Sequence, residues 1–486
     1  MRTSVMMLLT ATLTLLAAWP MTGAAQTPVI EGTRLTLYPG DGESAPALVQ
    51  QTRRFDLHGG MQTLWLDGLT QRLDAAALLL RFPAGSGVHL AGMEVPPAAD
   101  GLQALLTQAL GKPVQVLSEQ GQVVASGMLR GIENGLLLVQ QDDGTLRLAA
   151  GTIVLPAGMA PPKPGARARL RVDATRAGSY TAQLLYPTAG LGWHADYALL
   201  LAAGGGCRAS LEARATLVNH SGTGFRDARV TLVAGNVRQP ENIAMPRLMM
   251  AAEAALPAPA APGLPAQGDL AGYRRYTLPQ PLTLANGASV LTPLEAPAAL
   301  DCTRALVLGQ RQAPAYAPPK PFFIPGPAAE ALGAPRIQIG LRAPHNLPTG
   351  NVRVYQPDAD GALRFIGGDT LPDLRRDDAV RLTIGDAYEL RAERTRTVWH
   401  LAGDVLTEGL RVHFSNRATR AEDVTLYVHP DRWRDWHLVS SSLRPQRQGP
   451  DTLVWRVQVP ARGAATLDYT LRYDAAKSGH PAGETP

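Results

Sequence analysis

Cysteine is nearly missing from this chain of 486 residues, which has only Cys207 and Cys302. That excludes a disulfide-scaffold mini-domain and a cysteine-built zinc ribbon. Charge and aromatics are sparse too, at 18% and 5% of residues. A formal net charge of +5 is thin over this length, and no run of Lys or Arg makes a nucleic-acid stripe. The densest basic stretches, Arg391 to Arg396 and Arg417 to Arg420, are interleaved with acids or apolar residues, as on solvated strand faces. No apolar run after the N-terminus is long enough for a membrane span. Catalytic motifs are lacking as well. The chain has no Gly-x-Ser-x-Gly elbow, no Ser-x-x-Lys, no His-Glu-x-x-His and no phosphate-binding loop. No catalytic residue, metal site or cofactor is expected.

Glycine and proline, by contrast, are plentiful, with 48 and 40 residues. Such dense punctuation excludes a long helical bundle. A hydrophobic share of 45% excludes disorder throughout and supplies more than one core. The N-terminus has its own pattern. Arg2 precedes an apolar stretch from Val5 to Trp19, and the small residues Gly23, Ala24 and Ala25 follow. That is the layout of a signal peptide over 1–25, cleaved after Ala25 to expose Gln26. An uncleaved anchor is the competing reading, but the apolar core is short for a span. The mature protein is expected in the periplasm or outside the cell, where Cys207 and Cys302 form a disulfide or remain two free thiols.

The expected fold is mainly β and multi-domain. Residues 26–94 read as an N-terminal β domain of alternating strands, such as Arg34 to Tyr38 and Gln62 to Leu66. Residues 95–158 read as one short helix, Gly101 to Leu110, followed by five short strands separated by Gly121, Gly135 and Gly144. That count suggests a small barrel of the Sm or SH3 type. Its acids Glu119, Glu133, Asp142 and Asp143 outnumber Lys112, Arg130 and Arg147, which argues against RNA. Residues 166–309 read as a β domain interrupted at 240–269 by an Ala-, Pro- and Met-rich flexible insertion. A Pro-rich connector at 310–335 holds Phe322 and Phe323, which call for a surface to pack on. Residues 336–474 read as a β-sandwich, and 475–486 as a disordered tail.

One stretch concentrates polar and aromatic chemistry, His429 to His437 (HPDRWRDWH). Asp431, Trp433, Trp436 and His437 are its candidate ligand contacts. Trp433 and Trp436 could stack on sugar rings. A structural loop with stacked Trp is the plainer reading, and paired carboxylates for glycoside hydrolysis would have to face each other across a cleft. Trp193 and Trp455 lie in strand patterns and read as core anchors. Asp358 to Gly361 resembles a calcium loop but lacks the later ligands, so a hairpin turn is expected there.

Six stretches in order carry a likeness to a family. They are Tyr186 to Tyr197 (YPTAGLGWHADY), Leu217 to Gly222 (LVNHSG), Ala228 to Gly235 (ARVTLVAG), Leu347 to Tyr355 (LPTGNVRVY), Gly361 to Asp369 (GALRFIGGD) and Leu382 to Tyr388 (LTIGDAY). Together they resemble bacterial exported domain-of-unknown-function family 4139, whose wider relatives are named mucoidy inhibitor A. Gly192 departs from the pattern, since Ser or Thr often precedes the Trp there. The resemblance implies a β-rich envelope protein and supplies no catalytic residues. The expected function is therefore binding or scaffolding in the cell envelope, with an envelope protein or polysaccharide as partner and no nucleic acid. A carbohydrate-binding module, or a hydrolase whose site is assembled from scattered residues, is the alternative.

Overall fold

The structure is a computed structural model that describes residues 27–96, 101–133, 135–157, 159, 165–204, 206–235, 263–310 and 320–475. The expected leader and its cleavage after Ala25, the insertion up to 262, residues 311–319 of the connector and the tail from 476 lie outside the described residues.

The described chain is mainly β and multi-domain, with one α-helix, Gly101–Ala109. Alternation of side chains drives it. Strand Ala166–Ala174 (ARARLRVDA) buries every second residue along its whole length, as period-two patterning requires of a half-buried strand. Pro46–Leu57 does the same. Three separate apolar cores result.

The small barrel is the simplest. Strands Pro113–Leu117, Val123–Glu133, Leu136–Gln140, Leu146–Ala149 and Thr152–Val154 form one five-stranded sheet. The helix seals it with Leu106 and Ala109, which pack on Val116, Leu129 and Val139. The expected helix and five strands are all present.

The central body corrects the expected boundaries. Strand Val29–Leu37 pairs in parallel with Phe225–Ala234 and antiparallel with Pro46–Leu57, which in turn pairs with Gly178–Ala189. Gly60–Leu69 and Val88–Glu94 flank Ala166–Ala174 in a three-stranded sheet. Residues 26–94 therefore share their sheets with 166–309 and form no domain of their own. The barrel is an excursion between two strands of one body. The second correction is at 336. Strands Arg336–Arg342, Gly350–Pro357, Leu363–Leu371 and Ala379–Asp386 place Ile339, Val352, Leu371 and Leu382 in the central core. Asp358 to Gly361 is the tight turn between two of them, with Gly361 N donating to Asp358 O. The sandwich-like C-terminal core takes Leu306 and Leu308 from strand Ala298–Leu308 and is otherwise built from Ala387 onward. There, strands Leu390–Ala402, Val405–Asn416 and Ala464–Asp474 face Glu422–Val428 and Leu453–Val459.

Two further expectations change. The end of the insertion expected to reach 269 is a strand, Ala266–Leu270, paired with Tyr273–Thr277. The connector expected at 310–335 ends in a strand as well, Ala329–Gly333, paired with Leu390–Ala402.

Trp193 anchors the central body. It is 1% exposed, its Nε1 donates to Val233 O at 3.1 Å, and its ring meets Tyr276 edge-on. Its own backbone is held by Tyr38 O, which accepts from Trp193 N, and by Gly40 N, which donates to Trp193 O. Residue 192 is consequently pressed against the turn at Gly40. A Cβ on Gly192 would stand 2.4 Å from Gly40 O and 2.5 Å from the Ala45 Cβ. That contact accounts for glycine before the Trp. Gly192→Ser should lower unfolding stability by about 1–3 kcal/mol, the usual cost of overpacking, measured by denaturant melts. An unchanged midpoint would mean that the Gly40 turn moves aside freely.

Candidate functional site

The sequence-predicted cluster is dispersed by the fold. Trp433 lies in the C-terminal core at 4% exposure, so it offers no face to a ligand. The guanidinium of Arg434 sits 4.9 Å from its ring centre. Trp436 is half-buried against the same core and donates from Nε1 to Pro450 O at 2.9 Å. His437 is exposed on an edge strand opposite Arg472. Asp431 is exposed and lies 4.0 Å from Arg432 Nε. The stacked Trp pair expected for sugar binding is thus corrected, because the loop between strands turns Trp433 into the core while Asp431 and Arg434 face solvent.

Arg432, between them, is the organising residue. Its guanidinium makes a two-point ion pair with the buried Glu408, at 3.2 and 3.4 Å. It also lies 5.4 Å from the Trp399 ring centre and 5.7 Å from that of Phe322. The connector is tied down here. Phe322 N donates to Arg432 O, Arg432 Nη1 donates to Ile324 O, and Arg396 Nη1 donates to Gly326 O. The docking surface that Phe322 and Phe323 called for is this face of the sandwich. Its charges are spent on holding the chain, so it is structural.

Cys207 and Cys302 are bonded to each other, closing 95 residues of chain. Cys207 ends the turn between Leu191–Leu201 and Arg208–Asn219, and Cys302 lies on strand Ala298–Leu308. Cys302 N donates to Cys207 O at 2.9 Å, so the bond continues the ladder that begins at Arg208 and Asp301. Beside Cys302 opens a groove of about 750 Å³, floored by Ala298–Leu308, Arg336–Arg342 and Ala379–Asp386.

A second polar cluster sits at the edge of the central body. Glu295 accepts a hydrogen bond from Gln267 Nε2, and Arg274 Nη1 donates to Gln267 Oε1 at 3.1 Å. Tyr276, fully buried, has a hydroxyl without a hydrogen-bond partner among the described residues. Burial pushes the Glu295 carboxyl above the usual carboxylate range, against the pull of His345, Gln267 and Arg274. Burial also raises Tyr276, and the nearby Glu295 charge adds to it. Of these residues only Gln267 lay in a stretch that the sequence singled out, the expected insertion at 240–269. No group of His, Cys, Asp or Glu able to hold a metal occurs among the described residues. Nor is any described helix long and apolar enough to cross a membrane.

The family model of the biotin protein ligase C-terminal domain matches residues 109–155. That span is the small barrel without most of its helix. It is a small part of the chain and marks a likeness of that barrel alone. No curated protein matches the chain.

Glu295 makes a pH-dependent contribution whose sign is set by its raised value. Between the ordinary carboxylate pKa and the raised one, the folded protein holds a proton that the unfolded chain has released. Stability therefore falls as pH rises through that window and stays lower above it. Glu295→Gln keeps an acceptor for Gln267 and carries no charge. It should melt above the parent at neutral pH, with the gap closing toward about pH 4. Thermal melts of both proteins across that range check this. A constant gap would show that the carboxyl titrates alike in the folded and unfolded chain, against a raised value.

Proposed function

We propose that this is an exported cell-envelope protein that works by binding on a rigid β scaffold, as a member of the unknown-function family its motifs resemble. The observation that carries the reading is the Cys207–Cys302 bond. Such bonds persist in oxidising compartments and are rare in a reducing cytosol. The expected leader with small residues before Gln26 agrees with it. Binding is favoured over catalysis because the fold disperses the 429–437 stretch: Trp433 is buried, Asp431 is exposed beside Arg432, and Arg432 is spent on Glu408. The carbohydrate reading that rested on Trp433 loses that support, since Trp433 is buried.

The mature protein should be recovered from the envelope or periplasmic fraction with Gln26 as its first residue. Under denaturing, non-reducing conditions neither cysteine should react with a thiol label. Intact Met1 together with two reactive thiols would overturn the reading.

A further inference from the structure

The groove beside the disulfide is built from the outward face of three adjacent strands. The paired rows are Thr303–Gly340–Arg381 and Ala305–Gln338–Thr383. The inward face of the same strands, Ile339 and Leu382, is locked in the central core. Gly340 occupies the middle of the floor. A Cβ there would lie 2.6 Å from Thr303 Oγ1, so glycine at this position is what lets the Thr303 hydroxyl lie across the floor. Gln338 beside it is 7% exposed, and its Nε2 donates to Gln310 Oε1 at 2.9 Å and to Thr383 Oγ1 at 3.4 Å. The middle of the floor, at Thr303, Gln338 and Thr383, is thus polar and held in place.

Three arginines line this floor. Arg342 and Arg336 lie at the two ends of one strand, and Arg381 stands opposite Gly340. None is in an ion pair among the described residues. Arg336 donates to Gln310 O at 2.7 Å and Arg342 to Asp377 O at 2.9 Å, both neutral carbonyls. Arg381 has no partner among the described residues. On the neighbouring strand, by contrast, Arg304 pairs with Glu422 at 3.0 Å. The groove has two acids. Asp369 is occupied by the amides of Thr383, at 2.6 Å, and Thr370, at 2.8 Å. Asp301 lies beside Cys302 at the disulfide end. Arg336 and Arg342 stand about 20 Å apart along the strand, too far to share one small ion.

We propose that this groove binds a short acidic oligosaccharide or sugar phosphate. Its hydroxyls would meet Thr303, Gln338 and Thr383, and its carboxylate or phosphate groups the arginines. Guanidinium suits both anions through two parallel N–H donors. The sheet beneath is already fixed, so little ordering is lost on binding. The assignment rests on the reading of the chain as a binding protein, and the two can fail separately.

Calorimetric titration of the mature protein should use three probes: trigalacturonate, glucose 6-phosphate and neutral maltotriose. At least one anionic probe should bind, more weakly as salt is raised, and maltotriose should not. The anionic probe that binds identifies the carboxylate or the phosphate as the recognised group. Arg381→Ala and Arg342→Ala are both exposed changes that spare the core. Each should weaken binding about tenfold. Failure of both anionic probes to bind, or undiminished binding by both variants, would overturn the assignment while leaving the binding-protein reading to another site. Binding followed by cleavage of the trigalacturonate, seen by chromatography of the titrated sugar, would instead overturn the binding-protein reading and keep the groove.

Discussion

Strand Ala298–Leu308 belongs to both large cores, and the rest of the fold depends on that double membership. Its first residues, Ala298 to Asp301, pair with Arg208–Leu211 of the central body. From Cys302 onward it pairs with Arg336–Leu341. Its last residues, Leu306 to Leu308, pair in parallel with Val424–Leu426 of the sandwich. Leu300 packs on the central core, whereas Leu306 and Leu308 are buried in the C-terminal one. Continuous backbone therefore carries the register of one core into the other. The disulfide fixes this strand where the first pairing gives way to the second. On a chain-entropy view, closing such a long loop contributes about 4–5 kcal/mol.

Local pattern was readable from sequence, whereas long-range partnership was not. The alternation of Ala166–Ala174 and the turn residues of the small barrel announced their elements directly. So did Trp193 and Trp455, both buried and each donating its indole N–H to a carbonyl. Alternation says that one face of a strand is buried, but not against what. That is why Val29–Leu37 looked like part of a separate domain. Its parallel partner, Phe225–Ala234, lies far along the chain and beyond the whole barrel. The boundary at 336 failed for the same reason. A Pro-rich connector suggested a new domain, yet the strands after it return to the old core.

The candidate site was less legible than the fold. Trp433 sits among charged residues in a loop-like sequence, and only three dimensions show it turned inward. The Glu295 cluster draws Gln267, Arg274 and His345 from different segments, so no spacing could reveal it. The arginine groove is similar. Arg342 and Arg381 are ordinary exposed strand residues until the register of Arg336–Arg342 against Ala379–Asp386 sets them on one face. What sequence did contain was Gly340, an interruption in an otherwise strand-like run. Glycine inside a strand often marks a close approach, here that of the Thr303 hydroxyl. The scaffold and the groove share one physical cause, since the strands that carry the core inward carry Gln338 and Thr383 outward.

The central claim is that one strand couples the central body and the sandwich into a single cooperative unit, with the small barrel outside it. Native-state amide hydrogen exchange tests this directly, because it reads the opening free energy of each segment. Amides in Arg208–Leu211, Arg336–Leu341 and Val424–Leu426 should share one opening free energy, the highest in the protein. Amides of the barrel strands Val123–Glu133 and Leu136–Gln140 should open separately and at lower cost. Sandwich amides that exchange as a unit well before those of the central body would contradict the account.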